Sequence, residues 1–196
     1  MSKGDDTRKA ILEHAISLSS RIGLGQLSIG KLATDLEMSK SGLFAHFKSK
    51  QNLQLQVLDR AATEFLEDVV QPALRAPAGE PRIRQLFANW IDWIATNRYA
   101  GGCPFVQFSF ELDDQPGELR DHLLEQQRGW AGFLVDAARR AVAEGHLRED
   151  LDVEQFAFEF DTLMLGFHKS ARLLRDPHSA ERVKTSFENF LNSAKE

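Results

Sequence analysis

Between Ser28 and Lys50 the chain gathers side chains suited to nucleic acid rather than to catalysis: Ser28, Ser39, Lys40, Ser41, Gly42, Phe44, His46, Lys48 and Lys50. Small and polar residues at the start of a helix let it enter a major groove end-first, where base edges are read by hydrogen bonds. Lys48 and Lys50 flank Ser49 at the start of the following helix, against the helix dipole. Cations are favoured there when an anion binds, because exposed N–H groups and positive charge together make a phosphate site. Lys40, Ser41 and His46 are therefore expected to read bases, and Ser39, Lys48 and Lys50 to hold phosphates. The chemistry of an enzyme is harder to assemble. The chain offers no nucleophile with a base and an orienting partner, and no glycine-rich phosphate loop. His122, His146 and His178 are scattered without metal-ligand spacing, and Glu111, Asp113 and Asp114 read as a solvated acidic cluster. No metal and no cofactor is expected.

The elements that must position these groups are short helices. Ser28 is a good N-cap, followed by Ile29, Leu32, Ala33 and Leu36 at helical spacing. Glu37-Met38 breaks that helix, and Ser39 caps a second whose buried side carries Leu43 and Phe47. Two short helices joined by so few residues cross steeply, which is the helix-turn-helix geometry. A third, from Asp5 to about Ile22, turns Ile11, Ala15, Leu18 and Ile22 inward and stops at Gly23.

Gly23, Ser28, Leu32-Ala33, Met38-Ser39-Lys40, Gly42-Leu43-Phe44, His46-Phe47 and Ser49-Lys50 resemble the DNA-binding signature of the TetR family of bacterial transcriptional repressors, over roughly the first 55 residues. Three positions depart from that pattern. Ser19 stands where the family usually has an aromatic, Glu37 where it has glycine, and Phe44 where it has a tyrosine whose hydroxyl commonly touches phosphate. The resemblance implies a ligand-responsive repressor that leaves its DNA when an inducer binds.

The charge is uneven in the way DNA binding requires. The net charge is −5, yet residues 1–60 hold nine Lys/Arg against six Asp/Glu, about +3, which leaves about −8 on the remainder. Acid on the remainder weakens unspecific DNA binding while the basic end docks. One cysteine, Cys103, excludes an internal disulfide and fits a reducing cytoplasm. The start, MSKGDDTRK, lacks the apolar core of a signal peptide. No segment approaches the ~20 uninterrupted apolar residues of a membrane span.

Beyond residue 48 the pattern is also helical. A long helix from Ser49 carries Leu53, Val57, Leu58, Ala61, Phe65, Leu66 and Val69 and is kinked or ended by Pro72. After the linker Ala76 to Pro81 come helices over about 81–97, over FVQFSFEL after Pro104, and from Pro116 to Glu144. Val106, Phe108 and Phe110 alternate as in a strand, but no partner strand is evident. Asp152 with Gln155 resembles a capping box for a helix to about Leu174, and Asp176-Pro177 opens the last.

The rings of Trp90, Trp93, Phe105, Phe108, Trp130 and Phe133 lie on helices that would face each other. Aromatics at helical spacing are usually core. So many large rings are nonetheless hard to pack without voids, and spaces between bundle helices take ligands. Met164 and His168 would add a soft and a polar contact, and Cys103 lies close in sequence. A redox role for Cys103 would need a lowered pKa, and the nearest basic residue in sequence, Arg98, lies across a glycine break. The last two helices carry more apolar surface than one subunit covers, with Phe156, Phe160, Leu163, Phe167, Val183, Phe187, Phe190 and Leu191 the expected exposed set. Paired about a two-fold axis they would close a four-helix bundle.

The sequence thus describes an all-α protein with a helix-turn-helix domain over 1–48 and an effector-binding and dimerisation domain over 49–196. Its expected partners are double-stranded operator DNA, a small apolar or amphipathic inducer and a second copy of the chain, with no membrane. The alternative is a small-molecule carrier or enzyme that retains the helix-turn-helix as scaffold.

Overall fold

Three serines begin helices where the sequence places them. Ser28 Oγ accepts from the Lys31 N–H at 3.2 Å, Ser39 Oγ from Gly42 at 3.1 Å, and Ser49 Oγ from Asn52 at 3.0 Å. Each hydroxyl satisfies one of the amide groups that a helix start leaves without a partner. The computed structural model describes residues 3–96 and 98–195, and among these residues every regular element is a helix. The order is α1 (Lys3–Ile22), α2 (Ile29–Asp35), α3 (Lys40–Phe47), α4 (Lys50–Phe65), a π-helical turn (Leu66–Val70), α5 (Gln71–Leu74), α6 (Glu80–Ala95), α7 (Pro104–Leu112), α8 (Glu118–Ala143), α9 (Val153–Arg172) and α10 (Ser179–Ser193). None is long and apolar enough to cross a membrane among the described residues.

The chain forms two compact units, Met1–Phe65 with Asn97–Glu125, and Leu66–Thr96 with Gln126–Glu196. The first unit thus extends past the expected boundary at residue 48: it takes in α4, α7 and the start of α8. Its centre is the inward side of α1, α2, α3 and α4, where Ile16, Leu24, Leu27, Leu32, Leu43, Phe47, Leu53, Val57 and Leu58 are fully enclosed. α7 packs on α1, and one glycine explains how closely the chain before it approaches. A Cβ on Gly101 would lie 1.9 Å from the Ser20 carbonyl oxygen, so any other residue would force the two backbones apart. The Ala100 and Gly101 amides donate to Ser17 Oγ and Ser20 Oγ at 3.3 and 2.9 Å.

Glu37, in the turn between α2 and α3, holds a left-handed φ of 53°. A residue with a Cβ pays up to about 1–3 kcal/mol for such a conformation. Glu37→Gly should therefore raise stability, by less than about 1 kcal/mol because glycine's freedom in the unfolded chain takes back part of the gain. A thermal melt reads the result, and a lower midpoint would contradict it.

The long helix expected from Ser49 does not run evenly to Pro72. α4 stops at Phe65 and the backbone widens into the π turn, with Pro72 in the short helix behind it. Proline has no N–H to give the carbonyl four residues back, and its ring collides with that carbonyl, so a widened turn just ahead of Pro72 relieves the conflict. Pro104–Leu112 is a helix, so the alternation of Val106, Phe108 and Phe110 reflects aromatic content, not a strand. α9 takes only half of a capping box. Asp152 accepts from the Gln155 amide at 2.9 Å, whereas the Gln155 side chain turns outward to Glu159.

The second unit is built on aromatic packing of α6, α9 and α10. The Phe87 ring stacks on Phe187 at 3.8 Å and meets Phe160 edge-on, while Phe156 lies 4.5 Å from Phe190. This corrects the expected dimer seam. Phe156, Phe160, Phe167, Val183, Phe187 and Leu191 are 0–6% exposed within their own unit, and Leu163 and Phe190 are half-buried. α10 lies along α9, and the two bury one another's stripes, so these side chains are covered within their own unit. The apolar side chains that do face outward on and just after α9 are Phe158 at 67% exposure, Leu165, Leu173 and Leu174.

Candidate nucleic-acid interface

α3 presents the expected face. Leu43 and Phe47 are fully buried on one side, and Lys40, Ser41, Phe44 and Ala45 are exposed on the other, with Gly42 and His46 half-buried between them. The Phe44 ring is 56% exposed, an apolar group on a surface otherwise made for water. Such a ring suits the methyl group of thymine or the sugar edge and offers phosphate no hydroxyl. Ser39 Oγ is engaged by its own helix and also lies 3.3 Å from Ser41 Oγ, so its cap role is structural first. Lys48 closes α3 with a left-handed φ of 62° and projects into solvent beside the exposed start of α4.

A clasp that periodicity could not reveal holds the loop beneath this face. Gly23 turns the chain out of α1 at φ 90°, and the next two amides, Leu24 and Gly25, both donate to the Glu111 carboxylate, at 2.6 and 2.7 Å. From α4, Gln54 Nε2 donates to the Leu24 carbonyl at 2.7 Å and Lys50 Nζ to the Gly25 carbonyl at 2.5 Å. The amides and carbonyls of Leu24 and Gly25 thus all meet side chains, and the Leu24 carbonyl also accepts from the Leu27 amide at 3.1 Å. Glu111, expected in a solvated acidic cluster, instead ties α7 to the loop between α1 and α2. Lys50, expected only at phosphate, carries a second duty, with ammonium hydrogens left for an anion.

A fully buried carboxylate secures the end of α4. Glu64 is fully enclosed and accepts from Arg60 Nε at 2.7 Å, Arg98 Nη2 at 3.0 Å and the Tyr99 hydroxyl. Burial, and then the Glu64 carboxylate, push the Tyr99 phenol far above its ordinary range, so it stays protonated as a donor. The chain between α6 and α7 is thereby tied to α4.

The candidate ligand residues fall into two groups. Cys103, Phe105 and Phe108 belong to the first unit: Cys103 and Phe108 are buried, and the half-buried Phe105 ring meets Phe65 edge-on at 5.9 Å. Trp90, Trp93, Trp130, Phe133, Met164 and His168 belong to the second. There Trp90 meets Trp130 edge-on at 5.1 Å, and Trp130 is stacked with Phe133 at 5.8 Å. Met164 is fully buried on α9, whereas Trp130, Phe133 and His168 are half-buried. Asp161, which sequence reasoning passed over, donates nothing and accepts from Trp130 Nε1 at 3.2 Å. Its burial raises the carboxyl's proton affinity, partly opposed by that hydrogen bond. An acidic residue between Phe160 and Leu163 was the available signal.

Two family models match the chain. The model for bacterial regulatory proteins of the tetR family covers residues 11–57, and that for the tetracyclin repressor-like C-terminal domain covers residues 79–187. The HTH-type transcriptional repressor AcnR of Corynebacterium diphtheriae is 23% identical over 189 residues, 95% of this chain and 92% of its own. A TetR transcriptional regulator from Chloroflexus aurantiacus superposes with a TM-score of 0.87 at 23% identity, over 98% of this chain and 97% of that one. AibR, solved with isovaleryl coenzyme A and operator DNA, superposes with a TM-score of 0.68 at 23% identity, over 83% and 85% of the two chains.

Proposed function

We propose a mechanism from one premise: the chain belongs to the TetR family of bacterial regulatory proteins. It is a DNA-binding transcriptional repressor that a small apolar or amphipathic molecule releases from its operator. The observation that carries this reading is the α3 face, with buried Leu43 and Phe47 behind it and small, polar and cationic residues in front. The similarity to AcnR supports the repressor sense, and the AibR complex supports a family member that takes both DNA and a small ligand. These likenesses favour the regulator over a carrier or enzyme with a relic helix-turn-helix. The protein then works in the cytoplasm, beside the chromosome, with no catalytic cycle of its own.

In this reading residues 1–48 form the reading head. Lys40, Ser41 and His46 touch base edges, Phe44 makes the apolar contact, and Ser28, Ser39, Gly42, Lys48 and Lys50 approach the backbone. Residues 49–196 bind the effector, in the second unit, among Trp90, Trp93, Trp130, Phe133, Met164 and His168, and dimerise. Half-sites lie about one helical turn apart, so a change in spacing between two recognition helices uncouples one of them. The helical stretch from Ser49 to Gln71 is the lever.

Two lysines separate the roles. Lys48→Ala should weaken binding to specific and unrelated DNA alike and lower the salt slope by about one unit. Lys40→Ala should instead relax preference at one or two base positions, at a cost of about 1–3 kcal/mol in discrimination. Anisotropy titrations at several salt concentrations read both. A change of sequence preference in Lys48→Ala, with its slope intact, would overturn the assignment.

The partner copy is proposed to meet the outward apolar side chains of α9, Phe158 and Leu165, continued by Leu173 and Leu174. Leu165→Glu should yield a folded monomer by sedimentation, whereas Phe187→Glu should unfold the unit, because that ring is enclosed against Phe87. Wild-type protein that sediments as a monomer at micromolar concentration would rule out the dimer.

A further inference from the structure

We propose that the ligand of the second unit is an organic cation, whose ammonium group sits between the Asp161 carboxylate and the rings of Trp130 and Phe133. The proposal rests on the ligand-binding reading above and names the chemistry of the ligand.

Two other partly buried or aromatic-flanking acids of this unit sit on cations. Glu80 accepts from Lys195 at 2.9 Å and lies 2.7 Å from Arg84, and Glu188 is bridged by both terminal nitrogens of Arg84 at 2.6 and 3.0 Å. Asp161 is treated differently. Among the described residues no Lys, Arg or His lies within ion-pair reach of it, and its single hydrogen-bond donor is the Trp130 indole N–H. A carboxylate has about four lone-pair sites, so one indole N–H leaves most of them open. Burial acts on the same group by opposing its ionisation. A half-buried carboxylate among aromatic side chains, with no counter-charge of its own, is an expensive residue to keep in a core.

The rings beside it supply the second half of a cation site. Trp130 joins Asp161 through its N–H, meets Trp90 edge-on at 5.1 Å and stacks against Phe133 at 5.8 Å. Trp90 is buried, and Trp130 and Phe133 keep part of their surface open. A cation is attracted to the face of an indole or phenyl ring, and also gives the carboxylate its missing partner. A neutral apolar ligand would only deepen the burial of the acid. An anion would meet it with repulsion. Of the three classes, only a cation gains from both features.

The test compares two probes of one shape, phenyltrimethylammonium and its uncharged carbon isostere tert-butylbenzene, on the full-length protein. Binding is followed by tryptophan fluorescence and by the shift in melting temperature. The cation should bind at least about tenfold more tightly than the isostere, because pairing with the Asp161 carboxylate adds to the ~2- to 5-fold that a partly exposed cation–ring contact supplies. In Asp161→Asn, which keeps shape and an acceptor for Trp130, the preference should fall to the ~2- to 5-fold that the rings alone supply, while operator affinity without ligand is unchanged. Equal or tighter binding of tert-butylbenzene to the wild type would overturn the proposal, as would failure of both probes to bind or a full preference in Asp161→Asn. The wild-type comparison stands alone if the variant does not fold. The repressor reading is judged separately, by operator binding in the absence of any probe.

Discussion

Glu64→Ala is expected to destabilise the protein by about 3–5 kcal/mol, the cost of removing one member of a buried charge cluster. The expectation follows from what the substitution leaves behind. Glu64 is fully enclosed, and its loss removes the one carboxylate shared by the Tyr99 hydroxyl, Arg60 and Arg98, although Arg60 keeps Glu13 at 3.5 Å and Arg98 is partly exposed. In a chain of this length that loss corresponds to a fall in melting temperature of roughly 10 °C. Glu64→Gln should cost less, because it keeps an acceptor for the tyrosine while losing the charge. Circular dichroism melts of the two variants read the outcome. If Glu64→Ala melts with the wild type, the cluster contributes nothing to stability.

The second large effect is on function. Glu111→Ala removes the acceptor of the Leu24 and Gly25 amides. Hydrogen bonds to a charged group contribute about 1.5–3 kcal/mol each, so the loop between α1 and α2 should loosen even where the unit stays folded. Operator affinity should then fall about tenfold or more, since about 1.4 kcal/mol of ordering is one factor of ten. Glu111→Gln should recover little, because its amide nitrogen would face one of the two donors. Anisotropy with operator DNA measures the affinity and a urea titration the stability. Wild-type operator affinity in Glu111→Ala would mean that the clasp does not position the head.

These two carboxylates also mark the limit of what the sequence reveals. The capped helices around α2 and α3 were legible because caps and apolar spacing are local: Ser28, Ser39 and Ser49 bond amides three residues on. The outward set from Lys40 to His46 follows from the same period. Glu111 reaches back 86 and 87 residues to its partners, and Glu64 forward 35 to Tyr99, and no periodic signal records such pairings. The apolar stripes of α9 and α10 were visible, but whether they face a second chain or each other depends on tertiary packing. Phe187 belongs against Phe87, and the stack at 3.8 Å made it core. Pro72 marked a disturbance in the lever, while the widened turn at Leu66–Val70 that absorbs it became visible only in three dimensions. Glu37 and Phe44, the odd residues in the family pattern, became interpretable the same way, one by its φ of 53° and the other by its exposed ring.

The central claim is that the α3 face recognises a specific operator as the reading head of a repressor. It is tested most directly by fluorescence anisotropy of the full-length protein on duplexes tiled across the region upstream of its own gene, at two salt concentrations. Scrambled duplexes of the same composition serve as the reference. The account predicts one saturable, palindromic site bound at least about 1,000-fold more tightly than scrambled DNA. It also predicts an affinity that falls steeply with salt, and a preference for that site cut by about 5- to 150-fold in Lys40→Ala, the size of about 1–3 kcal/mol of lost discrimination. Equal affinity for every duplex, or a preference untouched by Lys40→Ala, would contradict it.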